Sequence, residues 1–174
     1  WTLDNFNCDP SLGIAMIETA EKVARANGIT REEQDAVTLE RYEQYAMALA
    51  DGRAFQRRYM LDLEVPDPSG KRVTGVVAGD EGVRATSAEG LAGLRPVLEG
   101  GTVTYGGQTH PADANCGLIV TSREQARELA RDPRIEVRIV GFGQARERAG
   151  HMGEAPVPAA AAALGHAGLG LGDI

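Results

Sequence analysis

The 174-residue sequence is poor in cysteine, with Cys8 and Cys116 alone. They form no CxxC pair and no zinc spacing, so nothing in the sequence supports a disulfide framework or a cysteine zinc site. Two thiols in a chain of this length point to a reducing, cytosolic setting. No run of 18 apolar residues exists, so no membrane-spanning helix is expected. Positive charge is also short. Lysine and arginine number 18 against 25 aspartates and glutamates, for a formal net charge of -7. That balance argues against nucleic-acid binding, which needs a basic face, but leaves room for an anion held by a local pair of arginines. There is no GK[ST], no GxGxxG and no GxSxG, so the P-loop, dinucleotide and nucleophile-elbow readings have no motif to stand on. The sequence opens at Trp1 without an initiator Met or signal peptide and closes on "GLGLGDI" without a polar tail. Both ends are expected to be cut from something longer.

What is present is the composition of a folded domain: 43% apolar and 25% charged residues. "IAMIETAEKVARAN" carries apolar residues at helical spacing, and Gly28 supplies a stop. "TREE" places Thr30 three residues before Glu33, a capping box for a helix over 31–49. Its apolar side is expected at Val37, Leu39, Tyr42, Tyr45, Ala46 and Leu49, with Asp51-Gly52 as its end. The acidic run at 31–35 reads as a solvated helix start. A short helical continuation, "RAFQRRYM", follows. "MLDLEV" and "KRVTGVV", separated by "PDPSG", read as two strands. "TSAEGLAGLRPVL" reads as one short helix with a capping box from Thr86 to Glu89.

The second half alternates element types. "CGLIVTS" reads as a buried strand, "SREQARELARD" as a helix capped by Ser122 and Gln125, and "RIEVRIVGFGQARE" as a long strand. "PVPAAAAALGHAG" reads as a helix with Pro156 and Pro158 in its first turn and Gly168 at its end. The expected class is therefore α/β, with an α+β first part.

The chemistry-bearing residues gather in "GGTVTYGGQTHPADANCG", residues 100–117. His110, Asp113 and Cys116 fall at i, i+3 and i+6, which matches no common metal spacing and lacks a fourth ligand. Cys116 opens an apolar strand, so its side chain is expected to be a small buried hydrophobe rather than a nucleophile. Cys8 is expected to be inert. His151 and His166 are expected at the solvent, and the "GFG" at 141–143 reads as a strand bulge. Gly106 and Gly107 clear side chains where a ligand or chain must pass, while Thr104, Gln108 and Thr109 offer polar partners. The stretch thus reads as a surface for an extended polar ligand.

Three segments, in order, resemble the thiolase family. "MIETAEKVARANGITREEQDAVTLERYEQYAMALADGRAF" resembles its Met-Gly, Thr-Ala-Glu helix and following "sREEqD" helix start. "DEGVR", "LAGLRPVLEGGTVTYGGQT" and the later "AD" resemble its "DE-x-x-R", "L-x-x-L-x-P-x-F", "G-T-V-T-A-G-N-A-S" and "N-D-G". "MGEAPVPAAAAALGHAGLGLGDI" resembles its "MG-x-G-P-x-P-A … AL-x-x-AG-x-x-x-x-D-[IL]".

The resemblance implies two similar α/β halves in a five-layer αβαβα fold, with a loop domain inserted in the first half. It implies a loop domain over residues 1–112, the last strands and helix of the N-terminal half over 113–150, and the start of the C-terminal half over 151–174. In the family a Cys thiolate takes the acyl group of a β-ketoacyl thioester, acetyl-CoA leaves, and the acyl group passes to a second coenzyme A thiol. A His general base and an oxyanion hole assist. The family's two catalytic Cys and its catalytic His match no position here, so no catalytic residue is expected in this chain, and the chain alone is expected to be inactive. The implied role is coenzyme A binding within a thiolase-type acyltransferase of lipid metabolism, running as thiolytic cleavage or Claisen condensation. No bound cofactor or metal is implied, since coenzyme A and acyl-CoA are substrates. A cytoplasmic homo-oligomer, dimer or tetramer, is the expected assembly. The alternative is a non-catalytic coenzyme A-binding or oligomerisation module.

Residue by residue, Thr109 takes the place of a Ser that contacts pantetheine. Met16 matches a Met near the pantetheine and acyl channel. Arg84 matches an Arg near the adenosine end, where a guanidinium suits phosphate. Tyr105, Gly106, Gly107 and Gln108 replace Ala-Gly-Asn-Ala. Ala15 replaces a His, and Ala112-Asp113-Ala114 replaces Asn-Asp-Gly. The bulk of Tyr105 and Gln108 points toward a divergent branch, such as the sterol-carrier-type or lipid-transfer thiolases. The implied substrate-binding set is Met16, Arg84, Tyr105, Gly106, Gln108 and Thr109.

Overall fold

A computed structural model describes residues 7–80, 82–109 and 116–174. The chain divides into two compact units, one comprising Ala26–Ala112 and the other Trp1–Arg25 with Asp113–Ile174.

In the Ala26–Ala112 unit, helix α2 (Arg31–Ala48) starts as the sequence predicts. The Thr30 hydroxyl accepts from the Glu33 N–H at 3.1 Å, and the Glu33 carboxylate accepts from the Thr30 N–H at 2.7 Å. The helix before it, α1 (Met16–Asn27), stops at Gly28, whose φ of +63° suits a residue without Cβ. After α2 the chain turns left-handed at three successive residues, Asp51, Gly52 and Arg53. They form the short α3 (Ala50–Arg53), and a 3-10 turn over Gln56–Arg58 stands where the sequence predicts a helical continuation.

Strands β1 (Leu63–Pro66) and β2 (Val73–Val77) form an antiparallel hairpin, with Leu63 opposite Val77 and Val65 opposite Gly75. The register shifts between Val65 and Pro66. There Thr74 turns its hydroxyl onto the Val65 carbonyl at 3.0 Å. Asp67 closes the turn by accepting from the Ser69 and Lys71 N–H groups, each at 3.0 Å. The Ser69 hydroxyl first, and then those backbone bonds, hold its carboxyl below the usual carboxylate range. Helix α4 (Ala88–Ala92) begins one residue later than the sequence predicts. Ser87, not Thr86, is the cap and accepts from the Gly90 N–H at 3.1 Å, while the Thr86 hydroxyl donates to the Arg84 carbonyl.

The other unit contains most of α1, then α5 (Arg123–Leu129) and α6 (Pro156–Ala167). Ala15 caps α1 without a hydroxyl, its N–H donating to the Glu18 carboxylate at 2.6 Å. Pro156 sets the first turn of α6, and Gly168, at φ +69°, ends it. Ser122 caps α5 by accepting from the Gln125 N–H at 3.3 Å. The Gln125 side chain does not complete a capping box, because it accepts from the Thr121 hydroxyl instead.

The strands expected over 117–121 and 134–147 are not paired into a sheet. Among the described residues, β1 and β2 form the one sheet. The two stretches are exposed, Leu118 at 88% and Val137 at 88%. Period-2 apolar sequence dictates an extended backbone, but a ladder also needs a neighbouring strand. Cys116 is correspondingly exposed, not buried as its apolar neighbours suggest. The "GFG" is not a bulge. A Cβ at Gly141 would lie 2.3 Å from the Ala163 carbonyl oxygen, and one at Gly143 would lie 2.0 Å from that of Ala159. These glycines exist because the α6 backbone lies directly on them. The buried apolar side chains among the described residues are Ala24 and Leu91.

Candidate functional site

The turn Thr104–Gln108 owes its position to polar side chains on one face of α2. Arg31, Gln34, Asp35 and Thr38 recur at helical spacing and point the same way. The Arg31 guanidinium pairs with Asp35 at 2.7 Å and donates to the carbonyls of Leu94, at 3.0 Å, and Leu91. It thereby adds a second kind of donor to the Leu91 carbonyl, which also accepts from the Leu94 N–H at 3.0 Å, and holds the Leu94 carbonyl just past α4. Gln34 donates to the Thr102 hydroxyl at 2.9 Å. A Cβ at Gly107 would come to 3.7 Å of the Thr38 hydroxyl, ordinary contact. Of the apolar side expected at Val37, Leu39, Tyr42, Tyr45, Ala46 and Leu49, Val37 and Ala46 are exposed while Leu39, Tyr42, Tyr45 and Leu49 are half-buried, and the polar Arg31, Gln34, Asp35 and Thr38 are half-buried beside them. Arg31 and Asp35, read from sequence as part of a solvated start, are each less than a fifth exposed.

The turn itself is a 3-10 segment, Tyr105–Gly107, capped by Thr104, which is 3% exposed. The Thr104 hydroxyl accepts from the Gly106 N–H at 3.2 Å, and Gln108 donates its amide to the Thr104 carbonyl at 3.3 Å. Thr104 also bridges Pro96, and the Val97 N–H donates to the Val103 carbonyl at 2.9 Å. A Cβ at Gly106 would fall 2.7 Å from Leu91 Cδ2 and 2.9 Å from Leu94 Cδ1. The close approach that Gly106 permits is therefore with the protein's own α4. The result is a bolted turn that holds Tyr105 outward, 74% exposed, with Gln108 and Thr109 also exposed.

The structure brings Tyr105, Gly106, Gln108 and Thr109 together by sequence adjacency on this turn. Arg84 is exposed in the same unit, before α4, and Met16 lies at the start of α1 in the other unit. His110, Asp113 and the Ala112 and Ala114 beside it lie outside the described residues, and so does the question of a His110–Asp113–Cys116 trio. His166 is exposed as expected but has a structural partner, with Nδ1 2.6 Å from the Phe142 carbonyl. Tyr45 carries a perturbed phenol. Burial first, then the neighbouring Asp80 carboxylate, pushes its hydroxyl above the usual range. Sequence reasoning missed Arg31, Gln34 and Thr38 as supports. Their signal was the i, i+3, i+7 polar spacing inside the predicted helix.

The sequence profile of the family described as Thiolase, N-terminal domain matches residues 7–124. The chain belongs to the thiolase family. Curated relatives agree. The chain is 36% identical over 159 residues to a 3-ketoacyl-CoA thiolase of Idiomarina loihiensis, covering 90% of this chain and 40% of that one. It is 34% identical over 173 residues to a 3-ketoacyl-CoA thiolase of Bacillus subtilis, covering 95% and 43%. The acetyl-CoA acetyltransferase of Bacillus anthracis is a structural neighbour with a TM-score of 0.72 and 31% identity, over 95% of this chain and 41% of that one. The chain thus has a thiolase-like α/β structure and spans about two-fifths of the length of the thiolases it matches. No helix among the described residues is long and apolar enough to cross a membrane.

Proposed function

We propose that these residues are the coenzyme A-binding portion of a thiolase-type acyl-CoA acyltransferase. The observation that carries the reading is the family match over residues 7–124, which contains the whole set Met16, Arg84, Tyr105, Gly106, Gln108 and Thr109. The bolted turn supports it, because a fixed, exposed backbone with hydroxyl and amide side chains suits a long polar ligand. Thr109 and Gln108 are assigned to the pantetheine, Tyr105 and Gly106 to the surface beneath it, and Met16 to the acyl channel. Arg84 is assigned to the phosphate-bearing adenosine end, where a guanidinium makes charge-assisted bonds. The division into a loop domain over 1–112, N-terminal-half strands and helix over 113–150 and a C-terminal-half start over 151–174 belongs to the same proposal.

The parent reaction in this reading is acyl transfer between β-ketoacyl-CoA and coenzyme A, in lipid metabolism and in the cytoplasm. These residues contribute binding, not the nucleophile, so the 174-residue chain alone does not turn over acetoacetyl-CoA. A homo-oligomer is part of the proposal, supported by apolar side chains such as Leu63, Val73 and Val76 left exposed on the hairpin. Calorimetry of coenzyme A with the wild-type chain and with Arg84→Ala tests the assignment. Weaker binding of the variant by about tenfold, the scale of one charge-assisted contact, is expected. Equal affinities remove Arg84 from the site, and no binding to the wild type removes the proposal.

A further inference from the structure

Within the Ala26–Ala112 unit, polar side chains from separate stretches join end to end between α2 and the segment that carries Arg84. The chain leaves α2 through Asp51, Gly52 and Arg53, and Arg53 holds φ +67° although it carries a Cβ. From there its guanidinium bridges two stretches. Nε donates to Gln56 Oε1 at 3.1 Å, and Nη2 donates to Asp62 Oδ1 at 3.3 Å. Gln56 is 5% exposed, so its amide has to be satisfied inside the protein. Its oxygen is taken by Arg53, which leaves its NH2 to donate, and the Tyr45 hydroxyl receives it. The Tyr45 hydroxyl in turn donates to the Asp80 carboxylate and accepts from the Asp80 N–H. Asp62 directly precedes β1 and Asp80 follows β2, and Leu63 pairs with Val77. The run therefore closes across the open end of the hairpin.

The hairpin already has its own ladder and its own turn at Asp67. What Tyr45 adds is a fixed point for the chain that leaves β2. Arg84 lies four residues past that point, and its carbonyl accepts from the Thr86 hydroxyl at 3.0 Å, beside the Ser87 cap of α4. The Arg84 backbone is thus held on both sides, by α2 through Asp80 and by α4 through Thr86. Its side chain is exposed and, among the described residues, pairs with no carboxylate, so its place is set by the backbone it stands on.

We infer that Tyr45 is a positioning residue for Arg84, acting through Asp80 to fix the start of the segment that presents the guanidinium to the phosphate-bearing end of coenzyme A. That role rests on the assignment of Arg84 under the proposed function. Its physical basis is preorganisation, since a guanidinium on a backbone held at both sides has less freedom left to lose on binding. Gln56 and Arg53 form the row behind. By supplying a donor to the phenol oxygen they leave its own O–H for Asp80, where the carboxylate makes the bond charge-assisted.

Tyr45→Phe removes the hydroxyl and keeps the ring, and two measurements on the 174-residue chain test the inference. Backbone order by 15N relaxation, without ligand, reads the tether. Gly82, Val83 and Arg84 are expected to fall from order parameters of about 0.85 to below about 0.6 in the variant, with α2 unchanged. Unchanged order at these residues overturns the inference whether or not coenzyme A binds. Calorimetry of coenzyme A with the wild type, Tyr45→Phe, Arg84→Ala and the double variant reads the consequence. Tyr45→Phe is expected to weaken binding about fivefold in the wild type and to add nothing in the Arg84→Ala background, an outcome a general loss of structure would not give. Equal losses in both backgrounds overturn the inference. A loss in Arg84→Ala without one in Tyr45→Phe overturns it and leaves the Arg84 assignment standing. Wild-type affinity in Arg84→Ala removes the assignment, and the positioning role with it. Should Tyr45→Phe not fold, Asp80→Ala, at an exposed position, takes its place with the same expected outcomes.

Discussion

The two units reach fixed structure by opposite means. In Ala26–Ala112 the turn at Thr104–Gln108 is held by named polar contacts, Arg31 to the α4 carbonyls and Gln34 to Thr102. In the unit with Asp113–Ile174, β-branched and aliphatic side chains lie open, and the tightest contact is backbone on backbone at Gly141 and Gly143. Hydrogen bonds are satisfied locally, so a polar scaffold can be complete within a short piece of chain. Hydrophobic burial needs partner surface, so an apolar strand is finished only where neighbours exist.

That contrast breaks most severely at Gly143. Gly143→Ala puts a methyl 2.0 Å from the Ala159 carbonyl oxygen, which is helix backbone and cannot step aside as a side chain can. A loss of about 3 kcal/mol in denaturant unfolding of that unit is expected. Arg31→Met is next. It removes the guanidinium from the Leu94 carbonyl, the Asp35 carboxylate and the Leu91 carbonyl, which keeps only backbone N–H donors, and urea unfolding followed by Tyr105–Thr109 amide signals is expected to show a loss of about 2 kcal/mol. Gly106→Ala meets side-chain ends, Leu91 Cδ2 and Leu94 Cδ1, which can yield. A loss of about 1–2 kcal/mol is expected by the same measurement. A Gly106→Ala cost above that of Gly143→Ala would reverse the contrast between yielding and rigid neighbours.

The smallest effect concerns charge in the open unit. The Glu136 carboxyl is held below the usual glutamate range, chiefly by the Arg123 hydrogen bond, with Arg127 also contributing. Its contribution to stability is therefore present above the unfolded glutamate value and fades as pH falls through the folded one. An NMR titration of the side-chain carboxyl is expected to place its midpoint below the ordinary glutamate value, and Arg123→Ala is expected to raise it. A midpoint unmoved by that substitution removes Arg123 as the cause.

Much of this was legible in the residues because local rules govern it. Thr30 and Glu33, Pro156 and Gly168, and the hairpin around "PDPSG" are set by backbone chemistry within a few positions. The cap fell on Ser87, one residue later than expected, with Thr86 turned instead to the Arg84 carbonyl. The expected strands at 117–121 and 134–147 failed for a non-local reason, since periodicity states which backbone a segment prefers and not whether a partner is there. At the candidate site, sequence pointed to the turn and its glycines. It could not show that Gly106 meets Leu91 and Leu94, because residues 91 and 106 share no local pattern.

The central claim is that the bolted turn presents coenzyme A-binding groups. Amide chemical-shift mapping by NMR, with coenzyme A titrated into the isotope-labelled 174-residue chain, tests it most directly. The account predicts saturable shifts at Tyr105, Gly106, Gln108 and Thr109 and at Arg84, with the hairpin Leu63–Val77 unmoved. Shifts confined to the open stretches 117–121 and 135–140, or none at the turn at saturating coenzyme A, would contradict it.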